Sequence, residues 1–228
     1  MKKDIRIKIS LILNLLIFII TVFATFAIFT SFEFMGRLGF EDNAPHFKIF
    51  KYFTVDSNIF AALMSLIYFI YYLKNQADEK KFTRIIFLAK LAATTAVTLT
   101  MMVTVFFLGP HSEIGFKPLF INASFFMHLI TPLLCITTFV FFDISEIVPM
   151  RMSITGIIPM LLYAVYYVSN ILLHLENNKT SHDYDLYGFL DGGLQAAWIA
   201  VPVIIGITCL FAFSLLALNR KMQLLKKI

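Results

Sequence analysis

A chain of 228 residues that is 59% hydrophobic and only 14% charged, with a mean hydropathy of +0.82, has too little polar surface for an ordinary soluble domain. The net charge of +5 does not call for nucleic acid, because the basic residues cluster at the ends of apolar runs, where a membrane protein keeps them. Cys135 and Cys209, the two cysteines, both fall inside apolar segments, which argues against a disulfide framework.

In chain order, a basic start (Met1 to Lys8) leads into an apolar run over about 9–31. That run exceeds the ~7 to 15 residues of a signal-peptide core and is read as a retained spanning helix. Further helices are predicted at about 47–73, 85–108, 120–142, 154–174 and 196–218. Each is near or above the ~20 residues that cross the hydrocarbon layer. The prediction is an all-α, polytopic bundle of six transmembrane helices forming a single membrane domain over 1–228.

Lys2, Lys3, Arg6, Lys8, Lys74, Lys80, Lys81, Arg84, Lys90, Arg151, Arg220, Lys221, Lys226 and Lys227 fall on one side of this layout. Arg37, Lys48, Lys51, Lys117 and Lys179 fall on the other. The asymmetry predicts that both termini are cytoplasmic. Lys90, about one turn inside the third run, is read as snorkelling to the inner surface.

The two long connections, 32–52 and 175–195, lie on the outer side, and loops of such length commonly carry function. In the first, Glu41-Asp42-Asn43-Ala44-Pro45 is a helix-start signal. The second holds Tyr184-Asp185-Leu186-Tyr187-Gly188-Phe189-Leu190-Asp191-Gly192-Gly193. No nucleotide-binding glycine loop, CxxC pair or HxxxH spacing occurs, so neither cofactor nor metal is expected. The five histidines, His46, His111, His128, His174 and His182, all fall in the outer half, where the plain reading is solvated loop positions.

Polar groups inside two of the runs carry the functional argument. Thr54, Ser57, Asn58, Ala61 and Ser65 share one face of helix two, and Ser124, His128, Thr131 and Cys135 share one face of helix four. At a rise of ~1.5 Å per residue, Thr54 lies about 10 Å into helix two and His128 about 12 Å into helix four. The helices run in the same direction, so equal depth allows contact. Hydroxyls in membrane helices commonly serve as packing glue, bonding back to the carbonyl four residues earlier, and the Thr-rich third helix is read that way. A mid-membrane histidine is a functional hypothesis by default. Asp56 either pairs with Lys51 or Lys48 at the interface or turns inward to orient the histidine.

Tyr52-Phe53-Thr54 with Ser57-Asn58, then Met127-His128 with Pro132, then Tyr187 with Phe189-Leu190-Asp191, resembles the androgen-induced and androgen-dependent membrane proteins and their prokaryotic relatives. The order and spacing extend over most of the chain, from helix one to helix six. Animal members of that family are intramembrane threonine hydrolases that cleave fatty acid esters of hydroxy fatty acids with one Thr and one His, and the matching positions are Thr54 and His128. Val55-Asp56-Ser57-Asn58 resembles the prokaryotic branch, which implies a prokaryotic plasma membrane.

The resulting expectation is a hydrolase of lipid-like esters, with Thr54 as nucleophile and His128 as general base. Asn58 or Asn122 is a possible oxyanion donor, and Asp56 or Asp191 a possible orienting carboxylate. The two catalytic side chains should approach within hydrogen-bond reach or one water of it, beside an apolar cavity lined by Phe and Met. The rival reading is a non-catalytic transporter or sensor in which Asp56 and His128 carry or sense protons.

Overall fold

Backbone surrounded by hydrocarbon must satisfy its own N–H and C=O groups, so apolar runs of this length fold as helices. The computed structural model describes residues 3–36, 46–74, 84–111, 115–143, 147–175, 184–188 and 193–225. It contains six helices long and apolar enough to cross a membrane, and no strand among the described residues. They are α1 (Ile5–Phe29), α2 (Phe53–Lys74), α3 (Arg84–Leu108), α4 (Asn122–Phe142), α5 (Met150–Leu173) and α6 (Trp198–Leu225). The chain is an integral membrane protein.

Several helix limits differ from the sequence-based ones: the first helix already begins at Lys3 and the last runs on to Leu225, and two further starts bear on the site. His46–Lys51 forms a tight 3-10 turn, and α2 proper begins only at Phe53. Thr54 therefore stands in the first turn of its helix, not two turns inside it. Helix α5 opens with a 3-10 segment at Met150–Ile157 and continues as α-helix from Ile158. Its close approach to α3 and α6 depends on Gly156: a Cβ there would sit 2.5 Å from the Ala212 Cβ and 2.9 Å from the Thr95 hydroxyl. The Glu41–Pro45 signal and Asp191 lie outside the described residues.

Helix α3 is the axis of the bundle, buried at every residue from Lys90 through Met101. Its hydroxyls are absorbed locally, Thr95 donating to the Leu91 carbonyl at 2.8 Å, Thr98 to Thr94 at 2.7 Å and Thr100 to Ala96 at 3.2 Å. With Ala92, Ala93 and Ala96 between them, they give a slim surface that neighbouring helices approach closely. Large apolar side chains such as Phe106, Leu162, Leu173 and Trp198 point outward, as lipid contact requires.

Lys90 does not snorkel. Its side chain is 3% exposed, and its ammonium lies 2.5 Å from Oδ2 of Asp143, which is fully buried just past the end of α4. The same ammonium donates to the Asn14 side-chain oxygen and sits 4.6 Å from the Tyr68 ring centroid. Oδ1 of Asp143 accepts from the Ser10 hydroxyl at 2.8 Å and the Asn14 amide at 3.2 Å. Around this core, Asn219 donates to the Phe139 and Asp143 carbonyls, and Arg6 Nε donates to the Phe141 carbonyl at 3.0 Å. An isolated charge in a low-dielectric interior is too costly to persist. Lys90 stays inside because a carboxylate and two polar side chains meet it there.

Candidate functional site

The other polar cluster lies at the opposite end of the bundle, and its shape starts from Pro132. Proline has no N–H, so the bond that would end on the His128 carbonyl four residues earlier cannot form. The backbone responds with a wider π-turn over Phe126–Ile130, closed by the Thr131 N–H reaching the Phe126 carbonyl. His128 sits at the middle of that turn, and π-bulges frequently mark functional sites. The imidazole is half-buried, and its Nδ1 lies 2.9 Å from the carbonyl of Leu119 in the preceding 3-10 turn. A carbonyl can only accept, so Nδ1 carries the proton, and in the neutral ring Nε2 is left with a free lone pair.

Asn58 joins the two halves of the site. Fully buried, it donates both amide hydrogens, one to the Thr54 carbonyl at 2.7 Å and one to the Met127 carbonyl at 3.1 Å. This fixes the first turn of α2 beside the residue that precedes His128. Ser57, next to it, donates to the Thr54 carbonyl and meets the Thr100 hydroxyl at 3.1 Å. Thr54 itself is half-buried. Its hydroxyl and the His128 ring make no hydrogen bond to each other. The Asn58 side-chain oxygen is buried without a partner among the described residues. With both hydrogens engaged, Asn58 has none to offer an oxyanion in this arrangement.

Asn122 has a holding role. Its φ of +52° is left-handed, a conformation asparagine tolerates better than most residues. Its oxygen accepts from the Met35 N–H at 2.5 Å and its nitrogen donates to the Gly36 carbonyl at 3.0 Å. The segment after α1 is thereby fastened to the start of α4, and one Asn122 amide hydrogen remains unengaged.

Asp56 lies on the far side of α2, exposed, and forms no ion pair with Lys51, whose ammonium instead sits over the Tyr184 ring at 5.8 Å from its centroid. The His128 orienter in this structure is the Leu119 carbonyl. Tyr187 caps α2: its hydroxyl accepts the Phe53 N–H at 3.0 Å, while Tyr163 donates to the Lys51 carbonyl at 2.7 Å. Burial pushes the Tyr187 hydroxyl up to about 12. Two cavities flank α2. One, of about 350 Å³, is apolar and faces α1 through Phe18, Val22, Phe26 and Leu63. The other, of about 410 Å³, faces α5. Neither is lined by Thr54 or His128. Among the described residues no group of three or more His, Cys, Asp or Glu is placed to hold a metal ion.

No family model, curated protein or solved structure matches this chain. The functional reading therefore rests on its own residues and on the resemblance that they carry. Sequence reasoning missed the Lys90–Asp143 pair and Tyr163. The signal for the first was available: Ser10, Asn14, Lys90 and Asp143 all interrupt or end apolar runs at one end of the layout.

Proposed function

We propose that the chain is an intramembrane hydrolase of lipid-like esters with Thr54 as nucleophile and His128 as base, the fatty acid ester of hydroxy fatty acid type being what the resemblance implies. One observation carries this reading: the Asn58 amide ties the Thr54 turn to the His128 turn, while Leu119 occupies Nδ1 and leaves Nε2 able to take a proton. In the reaction, Nε2 accepts the Thr54 proton as Oγ1 attacks the ester carbonyl. The alcohol leaves with that proton, and a water activated by the same nitrogen then frees the fatty acid. Catalytic hydrogen bonds are often open in the resting state and close in the substrate complex, so the unbonded pair is compatible with this role. Of the two asparagines, Asn122 retains an amide hydrogen for an oxyanion. Both termini are assigned to the cytoplasm of a prokaryotic plasma membrane, from the distribution of Lys and Arg.

The experiment is labelling of the purified protein with a fluorophosphonate ester probe, beside Thr54→Ala. Labelling that is lost in the variant supports the nucleophile; equal labelling of both proteins removes it. A second reading, a proton-linked transporter or sensor, draws support from the buried Lys90–Asp143 pair. It would be favoured if fully folded Thr54→Ala and His128→Ala both kept ester turnover.

A further inference from the structure

The cavity between α2 and α5 has the chemistry of a cation site. Its single carboxylate is Asp56, whose side chain has no hydrogen-bond or ion-pair partner among the described residues. Lys51, the neighbouring cation, is held over Tyr184. The N-terminal end of α2 favours an anion in its first turn, but those backbone amides leave the cavity itself unfilled. The same cavity is lined by Phe53, Phe60, Tyr163 and Tyr166. The Phe53 and Tyr163 rings stand 5.1 Å apart at 52°, and Tyr163 and Tyr166 5.8 Å apart at 54°, so their faces are turned along several directions. The hydrogen bond from Tyr163 to the Lys51 carbonyl fixes one of these rings in place.

Aromatic faces attract cations through their quadrupole, and aromatic walls suit methylated ammonium groups. A carboxylate alone would equally take a metal ion or a lysine, but a methylated ammonium is the cation that gains most from several aromatic faces and brings no N–H donor that needs an acceptor. The cavity also opens sideways: Leu162 and Tyr166, on the same wall, are 68% and 45% exposed on a membrane-spanning helix, hence lipid-facing. We propose that this cavity binds the methylated ammonium head of an amphiphile, with Asp56 as counter-ion and the hydrocarbon tail lying along α5 in the bilayer. The site is separate from Thr54 and His128, and its occupancy does not depend on ester cleavage there.

The test is equilibrium binding to the full chain in a neutral maltoside detergent, using dodecyltrimethylammonium, tetramethylammonium and dodecyl sulfate as probes. Dodecyltrimethylammonium should bind saturably and about tenfold more tightly than tetramethylammonium, which lacks the tail. Asp56→Asn and Phe60→Leu should each weaken it about tenfold, and Asp56→Glu should retain it. Two variants at different positions are used so that misfolding of one, seen by thermal melting, leaves the other decisive. Dodecylphosphocholine distinguishes the sources: effective competition identifies a zwitterionic lipid head, and failure to compete identifies a simple cationic amphiphile. Binding of dodecyl sulfate with equal strength, or unchanged binding in both folded variants, would overturn the proposal.

Discussion

The two polar clusters of this bundle are built from similar residue types and put them to different use. At the end that holds Arg6 and Gln223, Asp143 accepts three hydrogen bonds on two oxygens, Lys90 is met by Asp143, Asn14 and the Tyr68 ring, and the central groups have almost no exposure. At the other end, Thr54 and His128 are half-buried and not bonded to each other, and Asn58 has a buried oxygen without a partner. The Lys90–Asp143 centre, whose charged groups are met on every side, serves to hold helices, although Arg6 beside it keeps one buried nitrogen without a partner among the described residues. The Thr54–His128 cluster, half exposed and placed on a π-turn, keeps polar groups within reach of a ligand.

The largest effect that separates the clusters is on turnover. Thr54→Ala and His128→Ala should each lower ester hydrolysis by about a thousandfold or more while leaving the melting temperature nearly unchanged, and the double variant should be hardly worse than either. In the parent protein the rate should rise with pH as the His128 ring passes from imidazolium to imidazole, because only neutral imidazole can act as base. Rates in detergent for four proteins, each with its melting curve, decide this.

Next in size is a stability effect confined to the other cluster. Lys90→Met or Asp143→Leu alone leaves a buried charge without its partner and should cost about 3 to 5 kcal/mol. The double variant should recover much of that, measured by thermal or denaturant unfolding in detergent micelles. Equal loss in single and double variants would mean that the pair is not what holds these helices.

Asn58→Leu tests the joint between α2 and α4. It removes both donors from the Thr54 and Met127 carbonyls, so stability should fall by about 1 to 3 kcal/mol. Turnover should fall by roughly a further hundredfold through misplacement of the reacting groups. A fall in stability with unchanged turnover would make Asn58 packing alone.

The smallest effect is at Tyr187. Tyr187→Phe leaves the Phe53 N–H uncapped and should cost about 1 kcal/mol. The parent hydroxyl, pushed up to about 12 by burial from an ordinary value near ~10, binds its proton more tightly in the folded state. Its contribution is therefore fully present below about pH 10 and is lost as pH rises toward 12. That alkaline loss should be smaller in the variant.

The architecture was legible because run length and apolar content are local properties: six runs long enough to span became six helices. The polar face of α2 was legible for the same reason, since Ser57, Asn58, Ala61 and Ser65 recur at helical spacing and all prove buried. Lys90 was misread because its counter-charge lies 53 residues away, beyond the end of another helix, where no periodicity connects them. The matching of depths used for Thr54 and His128 would have found it, applied to Asn14, Lys90 and Asp143. The start of α2 was misplaced because its first N–H is capped by a tyrosine 134 residues further on. The Leu119 carbonyl that orients His128 is a backbone group and has no signature in side-chain chemistry.

The central position of α3 also bears on the order in which the chain is made. Lys90 and the threonines of α3 leave the ribosome before Asp143 exists, so for 53 residues of synthesis the helix destined for the middle of the bundle carries an ammonium with no carboxylate beside it. Asn14 in α1 and the Tyr68 ring in α2, both made earlier, are the groups able to shelter that charge during the interval. A nascent chain halted before residue 143 would hold α3 only provisionally. The third helix becomes a committed membrane segment when the fourth arrives.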